Sequence, residues 1–278
     1  MPKLRRIRLV SVGHDSARFE DVTLDLTDHQ ERPTNSILWL RNGGGKTSLL
    51  SLLFASIRPS KIDFLGKRAE GKIRRIEDYV GPRDQSVVVC EWELDDDGGR
   101  LFDDDRPRYL SGFFYQRKSG GDGETTRDID PAYFATKVSD TEVQLTLDGL
   151  PLQVEVSGSN GQPRRRRTLA GFRRRWRQLQ HDYPDHDVFI HDRQKEFAKE
   201  LADRGIDPHV FFYQIRMNER EGGVSERFSF SESEDFVDFL LEMTFDPQQA
   251  QQVKEQLSTF RHELLERNEQ LKPERELC

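Results

Sequence analysis

One stretch of the chain predicts the fold, namely Ile37-Leu38-Trp39-Leu40-Arg41-Asn42-Gly43-Gly44-Gly45-Lys46-Thr47. Its first four residues are apolar on both faces, which predicts a central strand covered on both sides. After the glycines, apolar residues all round the helical wheel predict a buried helix that Pro59 ends. The predicted order is therefore a buried strand, a glycine-rich turn and a buried helix.

The glycine-rich turn has the features that a triphosphate requires. Such a ligand is held by converging backbone N–H groups, a helix N-terminus and a lysine ammonium, with glycines where a Cβ would block the approach. Lys46 is expected to reach the β- and γ-phosphates of ATP, and Thr47 to ligate Mg²⁺. The first glycine of the usual motif is Leu40 here, so the entry to the turn differs. The expected cofactor-binding residues are Arg41, Asn42, Gly43, Gly44, Gly45, Lys46, Thr47 and Ser48.

Much of the remaining pattern predicts β-structure. Val22, Leu24 and Leu26 alternate with polar residues, which predicts a half-buried strand. Further segments are predicted as strands at 87–94 and 109–116, a hairpin within 143–156, a linker at 157–163, an arginine-rich helical segment after it, and a helix at 192–204.

The C-terminal stretch changes character. From residue 246 onward, apolar residues recur at alternating four- and three-residue steps, namely Val253, Leu257, Phe260, Leu264 and Leu271. This spacing predicts the start of a coiled-coil arm, and the alternative is a single amphipathic helix docked on the domain. The predicted domains are residues 1–245, with insertions at about 95–180, and residues 246–278.

Arginines are concentrated in one part of an acidic protein. The net charge of −7 argues against a wholly basic nucleic-acid coat protein, yet eight arginines fall within residues 164–177, with Trp176 among them. Phosphate backbones attract such a cluster, and indole rings stack on bases. The alternative is a solvated surface that balances acidic loops. The predicted DNA-binding residues are Arg164, Arg165, Arg166, Arg167, Arg173, Arg174 and Arg175.

Composition predicts the compartment. Hydrophobic residues make up 34 % of the chain and charged residues 33 %, with a mean hydropathy of −0.80. Cys90 and Cys278 are far apart and suggest neither a disulfide framework nor a metal site. No segment approaches the ~20 apolar residues needed to cross a bilayer. We expect a soluble, cytoplasmic protein with no membrane partner.

The motif and its context resemble a known family. A loop of the form Asn-Gly-x-Gly-Lys-[ST] near residue 40 is typical of the N-terminal head lobe of SMC proteins and of RecF/RecN-type and break-repair ATPases, and residues 42–47 match it. The resemblance implies an α/β fold, namely a P-loop ABC-type ATPase head lobe with a mixed sheet, a β-rich insertion and an emerging coiled-coil helix.

The resemblance also points to a catalytic glutamine. The family carries a glutamine at the end of a strand before the coiled coil, where it touches Mg²⁺ and the attacking water. Gln214, after Phe211-Phe212-Tyr213, stands in that context and is expected to be catalytic and a Mg²⁺ ligand. The alternative is a structural glutamine in a buried strand.

Two family motifs have no counterpart in this chain. A strand ending in Asp-Glu and a Ser-Gly-Gly signature are both missing. In the resembled family they lie in a C-terminal lobe, so the chain is expected to be an N-terminal fragment or half of a split head.

The resemblance implies an ATPase that hydrolyses ATP only with that lobe and a second head, as a homodimer. It would act on DNA in chromosome organisation, repair or defence against foreign DNA, with accessory subunits as further partners. The rivals are a kinase-like P-loop enzyme acting on a small molecule and a non-catalytic P-loop scaffold.

Overall fold

The structure is a computed structural model with an α/β fold. It describes residues 2–15, 17–41, 44–57, 75–95, 106–119, 125–157, 162–208 and 256–264. The chain divides into two compact units, residues 1–215 and residues 216–278.

The first unit contains eight described strands. They are β1 (Lys3–His14), β2 (Ala17–Asp25), β3 (Gln85–Glu93), β4 (Arg108–Ser119), β5 (Thr125–Lys137), β6 (Val154–Ser157), β7 (Pro163–Arg166) and β8 (Phe189–His191). Six of them form a sheet in the order β2-β1-β3-β4-β5-β8, and β6 pairs with β7. Every pairing is antiparallel. The prediction of a mixed sheet is therefore wrong for the described strands. The consecutive strands pair antiparallel, as short connections favour, and the two non-consecutive pairs, β1–β3 and β5–β8, are antiparallel as well.

Helices cover both faces of this sheet. They are α1 (Lys46–Ala55), α2 (Leu169–Asp182) and α3 (Gln194–Ala202), with 3-10 turns at Ile76–Tyr79 and Pro184–His186. Leu9 and Val88 contribute to the core on the side of α1 and α3. Val10 and Val87 contribute to the opposite core with Trp176 of α2. This division follows from the alternation of side chains along each strand.

Several elements confirm the predictions from local pattern. The strands predicted at 87–94 and 109–116 are β3 and β4, and the helix predicted at 192–204 is α3. Val22 and Leu24 are half-buried on β2 between exposed neighbours, as alternation predicts. The predicted helix after the glycines is α1, whose residues Leu49, Leu52 and Phe54 are buried.

The predicted central strand at 37–40 is not present. These residues have no regular secondary structure, and Ile37 and Trp39 are 93 % and 92 % exposed. A strand requires a hydrogen-bonded neighbour, and among the strands that the structure describes none pairs with this stretch. The apolar run alone did not produce a strand.

The predicted hairpin within 143–156 is also wrong. Leu145, Leu147, Leu150 and Leu152 lie in an irregular segment whose side chains are buried against the sheet. Their apolar alternation reflects burial in the core on the α2 side. The hairpin forms later, between β6 and β7, and the predicted linker at 157–163 includes the ends of both strands. Arg164, Arg165 and Arg166 consequently lie on a strand and not on the predicted helix.

In the second unit the structure describes one helix, α4, at 256–264. Leu257, Phe260 and Leu264 lie on it and are 50 %, 58 % and 50 % exposed. Val253 and Leu271 lie outside the described residues, so the coiled coil stays a prediction. In the part of the chain that the structure describes, no helix is long and apolar enough to cross a membrane.

Candidate phosphate loop and arginine surface

Helix α1 is held firmly at its C-terminal end. The Gln194 side chain donates a hydrogen bond of 3.0 Å from Nε2 to the carbonyl oxygen of Ala55. Ser56 Oγ lies 3.5 Å from Cys90 Sγ of β3. Because these contacts and the buried leucines fix the helix, its N-terminus presents the preceding turn in a defined position.

The turn before α1 requires glycine at two positions. Gly45 is the N-cap of α1 with φ +90°, and a Cβ there would lie 3.1 Å from Phe19 Cζ of β2. Gly44 donates a hydrogen bond of 2.9 Å to the carbonyl oxygen of Arg41, and its own Cβ would lie 2.9 Å from that oxygen. Positive φ and this close approach both exclude larger residues.

The first turn of α1 is suited to an anion. Lys46 and Thr47 are exposed, whereas Ser48 is buried. Gly45 has no side chain to cap the helix, and no carboxylate occupies the first turn. A helix N-terminus carries unpaired N–H groups and partial positive charge. The exposed Lys46 could therefore contact an anion, and the exposed Thr47 hydroxyl could contact its cation.

The lysine folds back over the turn. Lys46 Nζ donates a hydrogen bond of 2.9 Å to the carbonyl oxygen of Leu40, six residues earlier. Lys46 Nζ therefore lies beside the backbone at the end of the apolar stretch. An exposed ammonium can exchange a carbonyl contact for a phosphate oxygen, which is a stronger charge-assisted acceptor.

Three predicted site residues lie outside the described residues, namely Asn42, Gly43 and Gln214. The proximity of Gln214 to Thr47 accordingly stays a prediction. Arg41 lies within the described part and is exposed.

The β6–β7 hairpin distributes its arginines over two faces. In its register Arg164 is opposite Val156 and Arg166 is opposite Val154, whereas Arg165 is opposite Glu155. Residues directly opposite one another share a face, so Arg165 lies on the other face from Arg164 and Arg166. Arg165 Nε is 3.8 Å from Glu155 Oε1.

Two of the predicted DNA-binding arginines have internal partners. Arg173 forms hydrogen bonds of 3.0 and 2.8 Å with Asp130 and an ion pair of 2.9 Å with Asp192. The hydrogen bonds that Arg173 donates to Asp130 raise the pKa of Arg173. Arg167 is half-buried and donates to the Gln85 carbonyl at 3.2 Å, and burial lowers its pKa. Arg173 therefore does not belong to the candidate interface with nucleic acid. Arg167 lines the groove beside the hairpin.

Trp176 is not available to stack on bases. Its side chain is fully buried among Phe134 and Phe172, and its indole N–H donates a hydrogen bond of 2.7 Å to the Phe189 carbonyl. The prediction that Trp176 is interleaved with exposed arginines for stacking is wrong. Its helical position points it into the core, opposite to Arg174.

A groove of about 760 Å³ lies beside the hairpin. Its walls carry the arginines Arg8, Arg165, Arg167 and Arg175. They also carry the carboxylates Asp21, Asp148 and Glu155. Arg8 donates to both oxygens of Asp21, at 2.9 and 3.0 Å, and this hydrogen bond lowers the pKa of Asp21. The groove is therefore close to neutral in charge.

The remaining arginines of the cluster point into solvent. Arg164, Arg166, Arg174 and Arg177 are exposed, and no carboxylate among the described residues pairs with them. Sequence analysis did not identify Arg8, Asp21, Asp148 or Glu155 as neighbours of this cluster. They come from separate strands and loops, so no local pattern could have indicated them.

The comparisons with known proteins add no assignment. No protein-family model matches the chain, and no curated protein matches it.

Proposed function

We propose that this chain binds ATP and Mg²⁺ through residues 41–48 and forms the N-terminal lobe of an SMC-like ABC-type ATPase head acting on DNA. The observation that carries the proposal is the junction at the start of α1. There an exposed apolar stretch, a turn that requires glycine, and an exposed Lys-Thr pair follow one another.

The exposed apolar stretch before the loop supports the proposal that a second lobe covers it. Ile37 and Trp39 are almost fully exposed, and burying an isoleucine side chain is worth about 1.5–3 kcal/mol. Two large apolar residues beside a ligand loop are more favourable when another segment covers them. In this proposal, residues 37–40 become a strand when neighbouring strands are supplied by a C-terminal lobe.

The residues of the loop have separable roles in this proposal. The Lys46 ammonium would neutralise charge on the terminal phosphates, and the Thr47 hydroxyl would hold the metal ion. The N–H groups at the start of α1 orient the anion. Hydrolysis would also need a second metal carboxylate from a C-terminal lobe and contacts from a second head. Gln214 would orient the attacking water.

The proposed partners would supply the parts that hydrolysis needs and that residues 41–48 do not provide. A C-terminal lobe would cover residues 37–40, a second head would complete the active site in a homodimer, and DNA would be the substrate of the whole machine. A cytoplasmic location and accessory subunits belong to the same proposal. A self-contained small-molecule kinase is less well supported, because it has no need of an exposed apolar stretch beside its own phosphate loop.

The test is ATP binding by two matched variants, measured by isothermal titration with Mg²⁺. Lys46→Ala should weaken binding at least tenfold, which corresponds to about 1.4 kcal/mol. Lys195→Ala is the control, because Lys195 is also an exposed lysine in the first turn of a helix, α3. Its affinity for ATP should equal that of the wild type.

Both variants should remain folded, since neither lysine is buried. Phosphate release by the chain alone should be far below the ~1–10 s⁻¹ typical of enzymes. Equal ATP affinity of Lys46→Ala and the wild type would contradict the proposed phosphate loop. Rapid turnover by the chain alone would contradict its dependence on a second lobe.

A further inference from the structure

Charges in the groove beside the β6–β7 hairpin are nearly balanced in number, but they are unevenly paired. Each of the three carboxylates that line it has an arginine partner, and the pairs are Asp21 with Arg8, Asp148 with Arg6, and Glu155 with Arg165. Arg167 and Arg175 also line the groove, and among the described residues neither forms an ion pair with a carboxylate. The groove therefore has two guanidinium groups with no carboxylate partner in the described part of the chain.

The guanidinium of Arg167 is only partly satisfied. Its Nη1 donates hydrogen bonds to Ser11 Oγ at 3.3 Å and to the Gln85 carbonyl oxygen at 3.2 Å. Its Nε is buried, and neither Nε nor Nη2 has a hydrogen-bond acceptor among the described residues. A cation that is half-buried with too few acceptors loses solvation without full compensation, and burial accordingly lowers the pKa of Arg167. An anion that accepts from Nη2 would offset this loss.

Arg175 brings the second uncompensated charge from α2. Its Nη1 donates a hydrogen bond of 3.0 Å to Gln178 Oε1, one turn later on the same helix. That acceptor is neutral, so it leaves the charge of Arg175 in place. The helix and the hairpin pack closely, because Gly171 of α2 leaves no room for a side chain against Val154 of β6. The two guanidinium groups consequently line one groove between packed elements.

The groove has the size and lining of a small-molecule site. Its volume of about 760 Å³ lies within the ~300–1,000 Å³ typical of such sites. Apolar surface comes from the chain that leads into β6, namely Leu150, Pro151, Leu152 and Val154. The carboxylates of Asp148 and Glu155 are 69 % and 67 % exposed and can accept further hydrogen bonds from hydroxyl groups. Both kinds of surface suit a hydroxylated body such as a sugar.

Two uncompensated guanidinium groups match a dianion. A phosphomonoester carries about −1.5 to −2 charge at pH 7, whereas a carboxylate or a phosphodiester carries about −1. Guanidinium groups also pair well with phosphate oxygens. We propose that this groove binds the phosphomonoester of a small hydroxylated molecule, a sugar phosphate, with Arg167 and Arg175 on the phosphate and Asp148 and Glu155 on hydroxyl groups. Residues 41–48 do not line the groove, and this site does not depend on the proposed function.

The test is binding of the primary phosphate esters of ribose and glucose by the full chain, measured by isothermal titration. Glucose, inorganic phosphate, the primary sulfate ester of glucose and a short DNA duplex are the comparison probes. The sulfate ester keeps the shape of the phosphate ester and carries less negative charge. Arg175→Gln removes a charge from the groove, and Arg177→Gln is the matched control, because Arg177 is an exposed arginine of α2 that does not line the groove.

The wild type should bind both sugar phosphates, more tightly than the sulfate ester or inorganic phosphate, and should not bind glucose. Arg175→Gln should weaken their binding by about tenfold or more, because a charge-assisted contact is lost. Arg177→Gln should bind them as the wild type does. Arg167→Gln should show a loss like that of Arg175→Gln. Since Arg167 also contacts Ser11 and Gln85, Arg175→Gln alone decides if the Arg167 variant does not fold.

Other results would overturn the proposal. No binding of either sugar phosphate by the wild type would remove the site, and equal losses in Arg175→Gln and Arg177→Gln would mean that the charge of α2 matters and not the groove. Equal affinity for inorganic phosphate would exclude a role for the sugar, and equal affinity for the sulfate ester would exclude selection of a dianion. Displacement of the sugar phosphates by the DNA duplex would assign these arginines to DNA. Loss of binding in Lys46→Ala would place the phosphate in the loop before α1. ATP binding by Lys46→Ala tests the proposed function separately.

Discussion

Residues 37–40 and residues 87–90 are both runs of four apolar residues, but they lie in opposite environments. Val87, Val88, Val89 and Cys90 on β3 are all 0 % exposed. Ile37 and Trp39 are exposed almost completely. β3 has β1 on one side and β4 on the other, and helices cover both faces of the sheet. No described strand pairs with residues 37–40.

The difference shows that an apolar run forms a strand only when neighbouring strands and packing surfaces are available to it. The backbone N–H and C=O groups of a strand must be paired, and its side chains need a surface on either face. β3 meets both conditions inside one unit of this chain. Residues 37–40 meet neither among the described residues, and the proposed C-terminal lobe is the partner that would supply both.

The largest expected effect compares the same substitution in the two environments. Leu9 is fully buried on β1, opposite Val88, whereas Leu38 in the exposed run is 45 % exposed. Leu9→Ala should lower the free energy of unfolding by about 2–5 kcal/mol, because it leaves a cavity in the core. Leu38→Ala should change it by no more than about 0.5 kcal/mol.

Urea unfolding of both variants measures this difference. A loss above about 2 kcal/mol in Leu38→Ala would mean that residues 37–40 are already packed as a strand in the chain alone. The comparison between the two runs would then fail.

Iodide quenching of fluorescence should distinguish the tryptophans of the same two regions. Trp39 is 92 % exposed and Trp92 of β3 is 2 % exposed, and the third tryptophan, Trp176, is buried. Iodide should quench the emission of Trp39 and barely affect the others. Trp39→Phe should therefore remove most of the quenchable emission, and Trp92→Phe should retain it.

If a C-terminal lobe covers residues 37–40 as proposed, a complex of the chain with that lobe should shield Trp39 from iodide. Persistent quenching in a stable complex of the two parts would place the partner surface somewhere other than residues 37–40.

The smallest expected effect concerns β2, which has one neighbour among the described strands. Asp21 of β2 pairs with Arg8 of β1. Asp21→Asn should destabilise the chain by less than about 1 kcal/mol, because the carboxylate is half-exposed and screened by solvent. The Arg8–Asp21 pair should therefore contribute much less to the free energy of unfolding than the packing of Leu9 in the core does.

The pH dependence of this pair has a defined sign. Arg8 lowers the pKa of Asp21 below its usual value near 3.8 in the folded chain. The pair therefore stabilises the fold above the carboxyl pKa of the unfolded chain, and its contribution is lost as pH falls through the lower, folded value. The stability difference between wild type and Asp21→Asn should be constant near neutral pH and shrink below about pH 4. A difference that grows on acidification would contradict this account.

The candidate sites were predictable to different extents. The glycine turn and the Lys-Thr pair lie together in the sequence, so their placement at the start of α1 could be predicted. The arginine cluster could be located in the same way, but its division into groups could not. Arg173 and Arg174 are adjacent and of one residue type, yet only Arg173 meets Asp130.

The sequence by itself determined the features that depend on neighbours along the chain. These include the apolar runs that form β3 and β4, the helix α3, and the glycine turn before α1, in which Gly45 has a positive φ. Tertiary structure alone decided that residues 37–40 would stay exposed, that Trp176 would turn inward, and which arginines would keep an unpaired charge. Strand pairing, core packing and ion pairs join residues far apart in sequence, such as Arg173 and Asp130. A local pattern therefore specifies what a segment can become, and its spatial partners decide whether it does.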